Sequence, residues 1–300
     1  MDKIRDISIE DDLIDNLYTT GFQATNLAEA IDIIERMKKE NCKIFFGFTA
    51  NLVASGLRGL VKDLCRKKFI DAIVTTAGSI DHDIIKSYKP YLQGSFFVDD
   101  AKLHEKGINR LGNIFIPTDR FILLEKKIQP IFSRIYKEQK ICSPSFLNKR
   151  IGETLNKSSF LYWCAKNDIP VFCPGITDGA IGLQMYFFKQ GHKDFGIDVT
   201  KDMKDLADLV LNADKTAAII LGGGISKHHI IGANIVRDGL DYAVYISTAQ
   251  EFDGSLSGAQ TREAKSWGKI KEKAKSVTVN ADATIAFPLV VSALNKKKLI

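Results

Sequence analysis

The chain has 300 residues, 45% of them hydrophobic and 26% charged, with 42 Lys and Arg against 36 Asp and Glu. That suffices for one large α/β domain or two ordinary ones, and the composition is that of a globular protein, not a disordered or fibrous one. No apolar stretch is long enough to span a bilayer, residues 1–10 are too acidic and polar for a signal peptide, and the net charge of +6 is spread over helical-looking segments, which argues against membrane and nucleic-acid partners.

Five scattered cysteines (Cys42, Cys65, Cys142, Cys164 and Cys173) show no CxxC spacing. They read as reduced thiols of a cytoplasmic protein, with no disulfide frame and no metal site.

In chain order, residues 1–40 read as a mostly helical N-terminal segment that ends in an amphipathic stretch at 26–39. Apolar runs follow at 43–48 (KIFFGF), 71–75, 113–116, 170–172, 217–221 and 242–246. Amphipathic segments at 57–68, 149–167, 199–213 and 230–238 separate them. Continuous hydrophobicity suits strands buried on both faces, and the alternation predicts a doubly wound, mostly parallel α/β sheet with helices on both faces. With no repeat or low-complexity linker, residues 1–300 read as a single domain ending in a basic tail at 290–300.

In such a fold ligands sit where strands end and helices begin. The loops there are TANLVASG (49–56), TTAGSIDHD (75–83), CPGITDGAIG (173–182), GGGISKHH (222–229) and STAQEFDGSLSG (247–258). Gly222–Gly224 fits a dinucleotide loop or a tight strand–helix turn equally well, since the full GxGxxG fingerprint is missing. Lys227, His228 and His229 oppose the helix dipole where they stand. Beside a glycine loop, a histidine can take a proton from an amine. Glu251, Asp253 and Glu263 read either as solvated loop acids or as a receptor for an organic cation. Lys269, in SWGKI, has apolar flanks that can desolvate it into a neutral nucleophile able to form a Schiff base.

The motifs TTGFQATN, GINRLGNIFIP, PVFCPGITDG, LGGGISKHHI, DYAVYISTAQEFDGS, SWGKI and NADATIAFP stand in one order over nearly the whole chain. In these the chain resembles the deoxyhypusine synthases. The resemblance implies a Rossmann-like fold, a homotetramer, and NAD bound at subunit interfaces. It implies that spermidine is dehydrogenated with NAD and 1,3-diaminopropane is released. The butylamine group then passes through an imine on a lysine to one lysine of the translation factor five A precursor, where the imine is reduced. It assigns the nucleophile to Lys269 and the amine-handling histidine to His228. NAD contacts fall on Asn51, Thr76, Ala77, Gly78, Asp178, Gly223, Thr248, Ala249, Asp282 and Ala283. Amine contacts fall on Asp81, His82, Gly254, Ser255, Glu263 and Trp267.

The chain departs from the family pattern mainly at the amine site. Asp81 and His82 replace two glutamates, while Leu183 and Leu256 replace aspartates. In the cofactor loop Ala50 and Ala54 replace serines. Lost carboxylates weaken the hold on a trication. Three readings follow: a rearranged acid set for spermidine, another amine donor such as agmatine, or a homospermidine-synthase-like acceptor. A non-catalytic NAD-binding subunit is the reading of a different class. The short lead before TTGFQATN suggests that the N-terminal cover of eukaryotic members is absent, and length with Ile- and Lys-rich composition fits an archaeal-type member.

Overall fold

The structure, a computed structural model, describes residues 3–8 and 12–300. The chain divides into two compact units. The first comprises Met1–Phe48, Phe69–Val74 and Met203–Ile300; the second comprises Thr49–Lys68 and Thr75–Asp202. The strands of the first unit are β1 (Lys43–Phe48), β2 (Ala72–Val74), β3 (Thr216–Leu221), β4 (Leu240–Ser247) and β5 (Ile270–Asn280). The helices that frame the argument are α1 (Phe22–Lys39), α2 (Ala50–Ala54), α3 (Ala77–Lys86), α4 (Ala180–Gly191), α5 (Gly224–Ala233), α6 (Thr261–Ser266) and α7 (Ala283–Lys296).

In the first unit the five strands run in the order β5-β4-β3-β1-β2, and every pairing is parallel. The apolar runs of β1 and β3 are buried from Ile44 to Phe48 and from Thr216 to Leu221, as strands covered on both faces must be. Alternation along β1 identifies the two covers. Phe46 stacks on Phe287 of α7 at 5.6 Å, whereas a methyl group on Gly47 would lie 2.8 Å from Ile230 Cδ1 of α5. α7 and α5 therefore lie on opposite faces, and the sheet is doubly wound. α1 packs with α7 and buries Leu27, Ile31, Ile34 and Met37. It is tied to β5 by Asn26 Nδ2 donating to the Thr278 carbonyl and by Asn280 N donating to Gln23 Oε1. Each such fully buried large aliphatic or aromatic side chain contributes roughly 1.5–3 kcal/mol.

The second unit holds α2, α3 and α4. The run expected as a strand at 113–116 forms Ile114–Pro117, but not in the parallel sheet. It pairs antiparallel with Ile108–Leu111 and Leu92–Gln93, because Gly112 at φ +60° lets the chain turn straight back into a hairpin. The helix expected over 149–167 is two helices, Pro144–Gly152 and Phe160–Asn167. The second starts where buried Asp83 accepts bonds from Ser159 Oγ (2.6 Å) and the Leu161 amide (3.1 Å), with Arg58 Nε donating to the same carboxylate at 2.6 Å.

Candidate active site

Adjacent strands of the first unit end together: Leu221 is in register with Ile246, and Ser247 with Asn280. The chain leaves β3 into Gly222–Gly224, β4 into Thr248–Ala249, and β5 into Asp282–Ala283. Gly223, Thr248, Ala249, Asp282 and Ala283 thus gather at the carboxyl edge of three neighbouring strands, the place where this architecture holds ligands. Asp282 caps α7, its carboxylate accepting from Thr284 N and Thr284 Oγ1, both at 2.6 Å.

The glycine triplet is a close-approach device. A Cβ on Gly223 would stand 2.5 Å from Ser257 Cα, and Gly224 N donates to Ser257 Oγ at 3.1 Å. The loop carrying Gly254 and Ser255 is therefore seated on the start of α5. One turn on, Lys227 is 2% exposed. Its Nζ donates to the carbonyls of Leu256 (2.8 Å) and Ala259 and lies 4.5 Å from the Tyr245 ring centroid. Burial pulls its pKa down to about 8, partly opposed by the charge of Glu263.

The next residue, exposed His228, meets Lys269: Nζ stands 3.5 Å from His228 Nε2 and 5.0 Å from the Trp267 ring centroid. Lys269 is half-buried and Trp267 exposed. Lys269 does not belong to the carboxyl edge. It immediately precedes β5, and its carbonyl accepts from Leu240 N at the start of β4 (3.1 Å). Lys269 is presented by a turn in which Gly268 has φ +65°.

The acids of this unit differ in availability. Glu251 is held by Arg262 Nη2 at 2.7 Å. Asp253 is exposed and accepts Ser255 N at 2.7 Å; the Ser255 side chain first, and then this amide, holds its pKa below the usual carboxylate range. Glu263, on α6, is exposed and has no ion-pair partner among the described residues. Leu256 is half-buried.

The remaining expected residues lie in the second unit. Thr76 stands at the N-cap of α3 without making a capping bond, and its Oγ1 is buried with no partner among the described residues. Ala77 is buried, and Gly78 admits no side chain, since a Cβ would be 2.8 Å from Ala50 Cβ of α2. Asn51 is exposed and accepts from Thr49 Oγ1 at 2.6 Å; Asp178 is exposed in the loop before α4. Asp81, an expected amine ligand, is 4% exposed, and its two oxygens accept the Ala180 and Ile181 amides, each at 2.8 Å. It caps α4, and burial raises its pKa to about 6 against the pull of those amides. His82 Nδ1 pairs with Tyr91 Oη at 2.8 Å, and burial followed by the charge of Lys86 lowers its pKa to about 4. Leu183 is 53% exposed on α4.

Residues 12–294 match the family model described as deoxyhypusine synthase. The chain belongs to the deoxyhypusine synthase family. It is 44% identical to the deoxyhypusine synthase of Senecio vernalis over 311 residues, covering 93% of this chain and 84% of that one. It is 46% identical over 310 residues to a Methanocaldococcus jannaschii protein named as probable deoxyhypusine synthase, covering 97% and 94%. Among solved structures, a candidate deoxyhypusine synthase from Entamoeba histolytica superposes with a TM-score of 0.72 at 29% identity, covering 94% and 91%. The family name is that of an enzyme, an aminobutyl transferase. No group of three or more His, Cys, Asp or Glu among the described residues is arranged to hold a metal ion, and no described helix is long and apolar enough to cross a membrane.

Two residues escaped the sequence reading. Lys227 was visible only as a misplaced cation at a helix start. Its burial against carbonyls could have been suspected from that very cost. Tyr91 carries no local motif, and its link to His82 is spatial.

Proposed function

We propose that this chain is an NAD-dependent deoxyhypusine synthase. It moves the butylamine group of spermidine through an imine on Lys269 to a lysine of the translation factor five A precursor. The observation that carries the reading is the Lys269–His228 pair: an amine nucleophile facing an imidazole base, with the ring of Trp267 beside the amine. His228 Nε2 takes the proton from the amine nitrogen, so that the neighbouring carbon can give up hydride. Lys269, as the free amine, attacks that carbon, and the bond to the 1,3-diaminopropane nitrogen breaks. Glu263 and Asp253 supply negative charge for the distal ammonium, and Trp267 offers it a π-face.

NAD, when bound, supplies the hydride acceptor. Features within each unit, taken separately, suit a nucleotide: in the second, the Thr76 hydroxyl and the opening turn of α3 cleared by Gly78; in the first, the close backbone approach of the carboxyl-edge loops at Gly223, Thr248 and Asp282. Homotetramer assembly and a cytoplasmic setting belong to the same reading. The exposed apolar stripe Leu183, Tyr186 and Phe187 on α4 is what a subunit contact would cover.

A second reading, another donor such as agmatine, is favoured by one set of observations. Asp81 is committed to capping α4, Glu251 is paired with Arg262, and leucines occupy positions 183 and 256. The test is a borohydride trap with NAD and either amine, reading the mass added at Lys269. An aminobutyl adduct from spermidine supports the first reading, and a guanidinobutyl adduct from agmatine alone supports the second. No adduct despite bound NAD would leave a non-catalytic subunit.

A further inference from the structure

His82 and Asp81 are neighbours in sequence, and both were expected to hold the amine. The geometry of the second unit separates their roles. Asp81 has spent both oxygens on the amides that open α4. His82 lies on the first turns of α3, and a methyl group on Gly78 would stand 4.0 Å from its Nε2, so this nitrogen faces the opening of the helix. Donors gather at that opening. The Ala77 and Gly78 amides have no intrahelical acceptor, and the Thr76 hydroxyl is buried and unpartnered. Free amides at a helix start oppose a cationic amine and suit a phosphate or ribose oxygen, and the Thr76 hydroxyl can donate to such an oxygen as well.

We propose that Tyr91 is a positioning residue whose hydroxyl donates to His82 Nδ1. This fixes the neutral tautomer with the proton on Nε2, so that His82 offers a donor to an oxygen of the cofactor and not a base to the amine. The inference rests on the NAD reading above. A phenol is the better donor and a neutral imidazole nitrogen the better acceptor, so the 2.8 Å contact favours this direction. Among the described residues the Tyr91 hydroxyl makes no other hydrogen bond, and burial, followed by the charge of Lys86, keeps His82 uncharged. The ring also stands edge-on to Tyr91, with centroids 5.5 Å apart, which limits its rotation.

The chain has five histidines, so histidine-selective 15N labelling of the full-length protein resolves them. His82 is assigned by loss of its signals in His82→Gln. At neutral pH, Nδ1 is expected at a pyridine-type shift and Nε2 at a pyrrole-type, protonated shift. The reverse tautomer, or a doubly protonated ring, overturns the proposal. Tyr91→Phe is expected to mix the tautomers and weaken NAD binding about three- to ten-fold, the value of one neutral hydrogen bond, while the amine KM stays put. Unchanged NAD affinity together with a raised amine KM returns His82 to the amine and overturns the proposal alone. Failure of the unaltered chain to bind NAD overturns the parent reading, and the cofactor role of His82 with it, whatever the tautomer.

Discussion

Asp81 and His82 carry opposite pH dependences that should nearly cancel. Asp81 has its folded pKa raised from 3.8 to about 6, so between those values the folded state holds a proton that the unfolded state has lost. Its contribution to stability therefore falls as pH rises through that window. His82 has its folded pKa lowered from 6.5 to about 4, so there the unfolded state binds the extra proton and stability rises with pH. At roughly 1.4 kcal/mol per unit of displacement, each change between pH 4.5 and 7 is worth about 2 kcal/mol, with opposite sign. Burial first, and then the charge of Asp81, pushes Tyr91 and Cys173 upward, so both stay protonated throughout. Asp81→Asn removes the falling arm and His82→Gln the rising one. Relative to the unaltered chain, Asp81→Asn should gain about 2 kcal/mol on going from pH 4.5 to 7, and His82→Gln should lose about as much. Urea unfolding of the three chains at both pH values reads these differences directly, since every other titrating group is common to all. Parallel pH profiles for the three would refute the argument that burial sets both pKa values.

Three further outcomes follow from the first unit. Lys227→Met leaves the Leu256 and Ala259 carbonyls without their donor, at about 1–3 kcal/mol for each unpaired group. It should lower the urea midpoint and raise the amine KM while sparing NAD affinity; an unchanged KM would mean that the 254–259 loop needs no pin. Gly223→Ala drives a methyl group to 2.5 Å from Ser257 Cα, and overpacking of that kind costs about 1–3 kcal/mol. The variant should be less stable and bind NAD more weakly, and one matching the unaltered chain in both would remove the close-approach role of the triplet. Lys269→Arg should give no borohydride adduct with either amine while NAD binding persists, and an adduct at another lysine would displace the nucleophile from position 269.

The parallel sheet was legible because β1, β3 and β4 are continuous apolar runs, which leave little alternative to burial on both faces. β5 was not, because its first half alternates lysine and glutamate in KEKAK and reads as solvent-facing chain. The pairing shows why: register jumps from Leu240–Ile270 to Tyr242–Lys275, so these residues bulge away from the sheet before pairing resumes. The strand at 114–117 was legible as a strand but not in its partners, since a hairpin and a sheet strand differ only in the turn that leads into them. Within the candidate site the sequence indicated which residue types could do the chemistry. It could not indicate that the carboxylate of Asp81 is occupied, because its partners, the amides of Ala180 and Ile181, lie about a hundred residues away.

The helix that carries His228 shows why a periodicity reading misplaces such an element. Apolar patterning suggested a helix at 230–238, but α5 runs from Gly224 to Ala233 and gives way to a 3-10 turn at Asn234–Arg237. Successive side chains on a helix point about 100° apart. Ser226 Oγ donates to the Phe48 carbonyl at 3.0 Å and fixes the helix to β1; Lys227 reaches the 256–259 loop; His228 meets Lys269. Three consecutive polar residues are thus each engaged, in three directions: sheet, loop and nucleophile. On that turn Ser226 and Lys227 are buried while Ile225 is exposed, the reverse of the solvent-polar, core-apolar division that marks an amphipathic helix. The same arrangement explains why Lys227 and His228 stand in that order. Exchanging the two would turn the ammonium towards Lys269, where a second cation would oppose a cationic amine, and would turn the imidazole into a site built from backbone carbonyls, which need a donor with more than one proton to give.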